Sequence, residues 1–194
     1  MINKSLFFIS LPVFSAFWMA AATAGPIADK AAEIEALIAA DDSAGAGVAA
    51  VDLYSQVWDS ATTISFRQVA LVAEPAAGFG VYNLRTTDQY KVGEPVIIYA
   101  EPYGYGFGTP AEGLYAIGFV VDLKVMAQSG EVLGEIPNLT ELELQSRAQN
   151  HEFQANLTYT LDGITPGKYV LQTTLRDKNS AKTGTFETAI EIIE

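Results

Sequence analysis

The sequence predicts a mainly β fold, an antiparallel β-sandwich preceded by a short N-terminal helical hairpin. Apolar residues recur at helical spacing in residues 25–62, whereas residues 63–194 alternate apolar and polar side chains with the period of a strand. Short turns join these strands and no crossover helix interrupts them, which favours an antiparallel arrangement. Of the 194 residues, 49% are hydrophobic and 18% are charged, enough apolar material for one core and too much for a disordered chain. We therefore predict three regions: a signal peptide at 1–24, a helical segment at 25–62 and a β-sandwich domain at 63–194.

The first 24 residues have the three parts of a secretory signal peptide. Lys4 supplies the positive start, residues 6–19 form an apolar stretch, and Ala22 and Ala24 fit the small-residue rule for cleavage. The alternative is a transmembrane anchor, but the stretch contains Pro12 and is shorter than the roughly 20 apolar residues that a span needs. We expect an exported protein, periplasmic or extracellular, with no transmembrane segment in the mature chain.

Two apolar stripes at helical spacing follow the predicted cleavage site. The first predicts a helix over residues 26–41, and Ser43 offers the N-cap of a second helix. Gly45 and Gly47 weaken the start of that second helix, whose stripe extends over residues 48–58. We expect the hairpin to cover one end or edge of the domain behind it, the alternative being that it docks to a partner. The stripes consist of Ile27, Ala31, Ile34 and Ile38, and then of Val48, Val51, Tyr54 and Trp58.

Eight or nine strands are predicted beyond residue 62. Residues 115–126 form the longest run of period two, and residues 96–100 are apolar on both faces, as in a central strand. A change of phase near Arg67 and Gln68 indicates a β-bulge. The predicted strands are residues 63–73, 81–86, 96–100, 115–126, 131–136, 153–161, 169–175 and 186–193.

One local motif indicates the kind of sandwich. Residues 161–169 resemble the tyrosine corner of immunoglobulin-like domains, with Tyr169 bonding back to the preceding turn and Gly167 giving that turn its freedom. The last third of the chain resembles bacterial immunoglobulin-like modules, and the pattern from Tyr82 onward resembles secreted bacterial proteins of unassigned function. This resemblance implies an immunoglobulin-like antiparallel β-sandwich and says nothing about a ligand.

Charge and composition exclude several classes of function. With 11 basic and 23 acidic residues, the net charge of -12 disfavours nucleic acid and anionic lipid as partners. The absence of cysteine excludes disulfides, thiolate nucleophiles and cysteine zinc sites. The single histidine, His151, has no companion ligands in the sequence, so we expect a solvent-exposed turn residue and predict no metal and no other cofactor. No nucleophile elbow or phosphate-binding loop is present.

The most unusual segment is the glycine-rich and aromatic stretch at residues 101–110. If it is extended, Tyr103, Tyr105 and Phe107 share one face and form a ladder on which a sugar or a peptide can stack. Tyr99 and Glu101 lie on the same parity, so these five residues are the predicted ligand-binding set, with no catalytic residue and no metal ligand. The alternative, favoured by the general frequency of buried aromatic rings, is that the rings fold back onto the core.

The sequence therefore predicts a non-catalytic exported binding or structural module whose ligand is an envelope protein or a glycan. One alternative is a secreted glycosidase-like hydrolase that uses paired carboxylates among Glu94, Glu101 and Glu112. Another is an assembly or chaperone-like subunit that offers an open sheet edge to another chain. We also expect Arg85 to pair with Glu101 as a structural ion pair.

Overall fold

A computed structural model describes residues 25–194, so the predicted signal peptide lies outside the described residues. These residues fall into two compact units, 25–50 and Val51–Glu194. Among them, no helix combines the length and the apolar character required to cross a membrane. The elements are α1 Pro26–Ala39, α2 Ser43–Asp59, β1 Ser65–Leu71, β2 Gln89–Lys91, β3 Val96–Tyr103, β4 Tyr115–Ala127, β5 Val132–Ser146, β6 Ala155–Tyr159, β7 Gly167–Asp177 and β8 Thr183–Ile193.

The helical pair forms as predicted, but Asp42 rather than the predicted Ser43 caps the second helix, and Ser43 is its first residue. The carboxylate of Asp42 accepts a hydrogen bond of 2.9 Å from the backbone N–H of Gly45, which satisfies one of the free N–H groups at the start of α2. No residue of α1 is buried. The part of α2 from Val51 onward belongs to the second unit, and there the Trp58 side chain is completely buried in the core.

The second unit is mainly β and contains two sheets. A three-stranded sheet has the antiparallel order β1-β3-β6, and a five-stranded sheet has the order β2-β8-β7-β4-β5. Within the five-stranded sheet the pairs are antiparallel except for β2 and β8, which are parallel. The wholly antiparallel prediction is wrong at this pair, because β2 has only three residues and is too short to show an alternating pattern.

The strand predictions differ from the structure at two further places. Residues 81–86 form only isolated bridges, and Val81 and Leu84 remain exposed. The fifth strand does not end before Pro137 but continues to Ser146, because a bulge with Asn138 at a φ of 53° lets it resume pairing with β4. The predicted bulge in β1 is confirmed by a register shift between residues 66 and 69.

The two sheets contribute to one hydrophobic cluster. Buried residues of β3 and β6 and buried residues of β4, β7 and β8 belong to the same core. A buried hydrogen bond of 2.8 Å joins the hydroxyls of Tyr159 on β6 and Thr173 on β7. On the β1 side the backbone N–H of Ile64 also bonds to the carbonyl of Thr183, at 3.0 Å. The predicted tyrosine corner is confirmed, since the Tyr169 hydroxyl donates to the Thr165 carbonyl at 2.8 Å.

Candidate functional site

The predicted aromatic ladder is folded onto the core rather than displayed on a loop. Tyr105 is fully buried, and its hydroxyl donates to the carbonyl of Asn150 at 2.7 Å. The indole N–H of Trp58 donates to the Tyr105 carbonyl at 2.8 Å. Tyr103 and Phe107 are half-buried, with ring centres 4.5 and 6.3 Å from that of Trp58. The ladder prediction is therefore corrected at Tyr105, because Trp58, 47 residues earlier, supplies an apolar surface that local spacing does not reveal.

His151 belongs to the same aromatic cluster, which we define as Tyr54, Trp58, Tyr103, Tyr105, Phe107 and His151. Its ring packs edge-on against Trp58 at 4.6 Å and Tyr54 at 5.0 Å, so the prediction of a solvent-exposed turn histidine is wrong. Burial lowers the pKa of His151 below that of a free histidine. The guanidinium of Arg67 closes one side of the cluster by lying 5.1 Å from the Tyr103 ring centre.

Tyr99 and Glu101 lie apart from the aromatic cluster and hold a loop in place. Tyr99 is completely buried in a second, smaller hydrophobic cluster. Its hydroxyl donates to the Glu101 carboxylate at 2.5 Å and accepts from the N–H of Gly80 at 2.7 Å. Burial, helped by the Glu101 carboxylate, raises the pKa of Tyr99 to about 12. The five predicted ligand-binding residues thus divide between two clusters, and in both they make contacts that hold the fold together.

The carboxylates of the hydrolase hypothesis, Glu94, Glu101 and Glu112, have different surroundings. Arg85 pairs with Glu94 at 2.8 Å rather than with Glu101, because its guanidinium lies over the Tyr90 ring beside Glu94. The N–H of Lys91 and then Arg85 lower the pKa of Glu94, which disfavours a role as general acid. Glu112 is exposed in the turn before β4. Within residues 25–194, no three acidic, histidine or cysteine side chains are grouped closely enough to hold a metal ion.

Sequence analysis allowed for an open sheet edge but did not locate it on the long last strand of the five-stranded sheet. β5 pairs with β4 on one side only, because it is the last strand in the sheet order. It spans 15 residues, and none of them is buried. The sheet order gives β5 no strand partner on its outer side, so backbone groups on that side can pair with another strand. Sequence patterning indicated a strand over residues 131–136, but the interruption at Pro137 hid the other half.

A groove accompanies the second half of this edge. Its volume is about 630 Å³, within the range of ligand-binding clefts. The groove lies between β5 and the segment leading into β6, and its walls combine apolar side chains with acids and amides. A smaller groove of about 350 Å³ follows the first half of β5 beside the tyrosine corner. Residues that line the larger groove include Phe79, Glu141, Leu142, Glu143, Leu144 and Phe153.

The two faces of β5 differ in chemistry along this groove. Leu142 and Leu144 stand opposite Phe119 and Ile117 of β4 and pack against the core. Glu141 and Glu143 lie on the other face, where Lys178 contacts one oxygen of each carboxylate at 2.5 Å. Lys178 reaches them by crossing Gly118, whose missing side chain leaves the space for it. Lys178 is paired with two carboxylates, so the group formed by Lys178, Glu141 and Glu143 has a net negative charge.

Comparison with known proteins gives little beyond this geometry. No family model and no curated protein matches the chain. Among solved structures, the chain is similar to the CARDB domain of a protein from Pyrococcus furiosus, whose structure contains di-metal ions. That similarity has 12% sequence identity and a TM-score of 0.27, and it covers 69% of this chain and 95% of that chain. A likeness this low carries no weight for the fold or the ligand of this chain.

Proposed function

We propose that the chain is an exported, non-catalytic immunoglobulin-like β-sandwich module that binds another protein through the free edge of β5. Two sheets that share one core and the tyrosine corner at Tyr169 support the sandwich. The signal-peptide pattern of residues 1–24 supports export, to the periplasm or beyond the cell. An envelope protein is then the class of partner that such a module meets.

The non-catalytic part of the proposal is supported by how the carboxylates are used. Glu94 is ion-paired, and Glu101 accepts the Tyr99 hydroxyl. Asp177, which is buried, accepts bonds from the Gly106 N–H and the Ser180 hydroxyl, and both of its oxygens are occupied by groups of the chain. These hydrogen bonds and ion pairs give the carboxylates of Glu94, Glu101 and Asp177 a role in holding the fold.

The binding part of the proposal depends on one observation, the exposed 15-residue edge strand. Natural sheets usually shorten, cover or charge their edge strands, because an unpaired strand recruits another chain. β5 has glutamates and a proline bulge that partly protect its edge, but it is long and exposes Leu133, Ile136 and Leu139. An added strand would gain backbone hydrogen bonds along β5 and apolar contacts in the adjoining grooves.

A glycan on the aromatic cluster is the weaker candidate for a ligand. Tyr105 is fully buried, and the rings of Tyr103 and Phe107 pack against Trp58. Stacking on a sugar ring needs an open aromatic face. We therefore assign the loop a packing role and place the binding surface on β5.

Site-specific photo-crosslinking in the source cell tests the proposed function. A photoreactive amino acid replaces Leu139 or Gln145, which are exposed on β5, and Glu187 on β8 serves as the matched control in the same sheet. We expect one envelope protein to be joined at both β5 positions and not at the control position. Crosslinks at the control alone, or none at β5 in exported protein, would refute binding at this edge.

A further inference from the structure

Alternation along β5 specifies what kind of strand fits its edge. Side chains of neighbouring strands lie side by side on each face of a sheet. A strand added outside β5 therefore places every second residue next to Leu142 and Leu144, and the others next to Glu141 and Glu143.

The first of these two faces takes apolar residues. Leu142 and Leu144 are partly buried against the core, and both line the groove of about 630 Å³. Phe79 and the buried Phe153 form further apolar parts of its lining. Branched aliphatic side chains of an added strand would enter this groove and remove apolar surface from water.

The second face takes cations. Lys178 occupies one carboxylate oxygen of Glu141 and one of Glu143, and the hydrogen bonds among residues 25–194 leave the second oxygen of each without a donor. The chain as a whole is acidic, with a net charge of -12. A lysine or arginine beside each glutamate forms a cross-strand ion pair of opposite charge, whereas an acidic residue meets repulsion.

A second copy of this chain fits the edge poorly. Two copies related by a two-fold axis would pair their β5 strands antiparallel. Pairing centred on Leu142 would then bring Glu141 of each copy opposite Glu143 of the other. Like charges directly opposite each other on a sheet are destabilising, so the same residues that favour a basic strand disfavour self-association.

We propose that the β5 edge at residues 139–145 binds an extended segment of a partner protein in which basic residues alternate with aliphatic residues. This inference rests on the proposed function and adds the chemistry of the partner. The aliphatic residues fill the groove beside Leu142 and Leu144, and the basic residues pair with Glu141 and Glu143.

The test measures binding of synthetic peptides to the purified protein by calorimetry. The probe is a nine-residue peptide that alternates lysine and valine, and its matched control replaces each lysine with glutamate. We expect binding of the lysine peptide that weakens with added salt, and no binding of the glutamate peptide. Two further probes carry N-methyl groups on alternate amides, in one phase or the other. We expect only one phase to abolish binding, because a strand at an edge turns every second N–H toward its neighbour.

Protein variants test whether Glu141 and Glu143 are the charges that bind the lysine peptide. The double variant Glu141→Gln with Glu143→Gln should weaken binding of the lysine peptide by about twofold to thirtyfold, the effect of losing two exposed ion pairs. Lys178→Gln should strengthen binding of the lysine peptide by about twofold to fivefold, because the substitution frees the carboxylates of Glu141 and Glu143. Glu187→Gln removes one charge from β8 and should leave binding unchanged.

The outcomes separate this inference from the proposed function. Equal binding of the lysine and glutamate peptides, or a Lys178→Gln variant with weaker binding, would overturn the partner chemistry even if crosslinking finds a partner at β5. Binding of the lysine peptide that survives N-methylation in both phases would overturn strand addition itself. A crosslinked partner at β5 whose contacting segment is acidic or helical would also overturn the inference and leave the edge as a binding surface.

Discussion

Replacing Trp58 with alanine tests whether the aromatic cluster stabilises the fold or binds a ligand. The Trp58 side chain is 0% exposed, and its indole N–H is bonded to the buried Tyr105 carbonyl. Its ring contacts Tyr103, Tyr105 and His151 at centre distances of 4.5, 4.8 and 4.6 Å. These contacts join the last turns of α2 to the β core.

The expected cost follows from that environment. Truncating a buried tryptophan to alanine removes about 3–5 kcal/mol from the free energy of unfolding. For a chain of this size the loss corresponds to a Tm lower by about 6–20 °C. Trp58→Phe keeps most of the apolar surface but leaves the Tyr105 carbonyl without its donor, so its cost should be smaller, about 1–3 kcal/mol.

Thermal and urea unfolding followed by circular dichroism measures both variants against the parent protein. Fluorescence gives an independent readout, because Trp58 is the only tryptophan in residues 25–194. Its emission should be that of a buried indole and should shift to longer wavelength on unfolding. A Trp58→Ala variant that loses less than about 1 kcal/mol would refute the structural role. An unchanged Tm together with lost ligand binding would instead place a binding site in the cluster.

Three further predictions concern pH and the tyrosine corner. Hydrogen bonds and ion pairs lower the pKa of Glu94 below 4.5 and that of Asp122 below 3.8, so the stability they contribute is complete above these values and is lost as the pH falls further. Measuring Tm in acid checks this, and a Tm that is unchanged down to pH 2 would contradict it. Burial raises the pKa of Tyr99 and Tyr159 from 10.0 to about 12, so the free energy of unfolding should fall as the pH rises from 10 to 12. Ultraviolet absorbance should show that these two phenols ionise only together with unfolding. Tyr169→Phe removes the bond to the Thr165 carbonyl and should cost about 1 kcal/mol in urea unfolding, and no measurable cost would mean that the corner does not stabilise the fold.

Local patterns were sufficient to predict those parts of the fold whose signals are themselves local. The alternation of residues 115–126 predicted β4, and the sequence around Tyr169 predicted the corner hydrogen bond. Both signals arise from residues within one strand or one turn. The parallel pairing of β2 with β8 has no such signal, since it joins Gln89 to Glu191 across most of the domain.

The candidate site was harder to predict because long-range contacts decide exposure. Spacing predicted that Tyr103, Tyr105 and Phe107 share a face, but the position of Trp58 determines that Tyr105 is buried. β5 was shortened in the prediction for a related reason. Its passage beyond Pro137 depends on Asp122, which bonds to the backbone N–H of Asn138 from the neighbouring strand.

Hydrogen exchange at the backbone amides of residues 139–145 tests the central claim most directly. In the free protein, the amides on the outer side of β5 have no strand to pair with and should exchange fast. Adding the lysine and valine peptide should slow alternate amides of this segment and leave those of β1 and β8 unchanged. Exchange that stays fast along β5 while amides around Trp58 become protected would contradict the account and move the binding surface to the aromatic cluster.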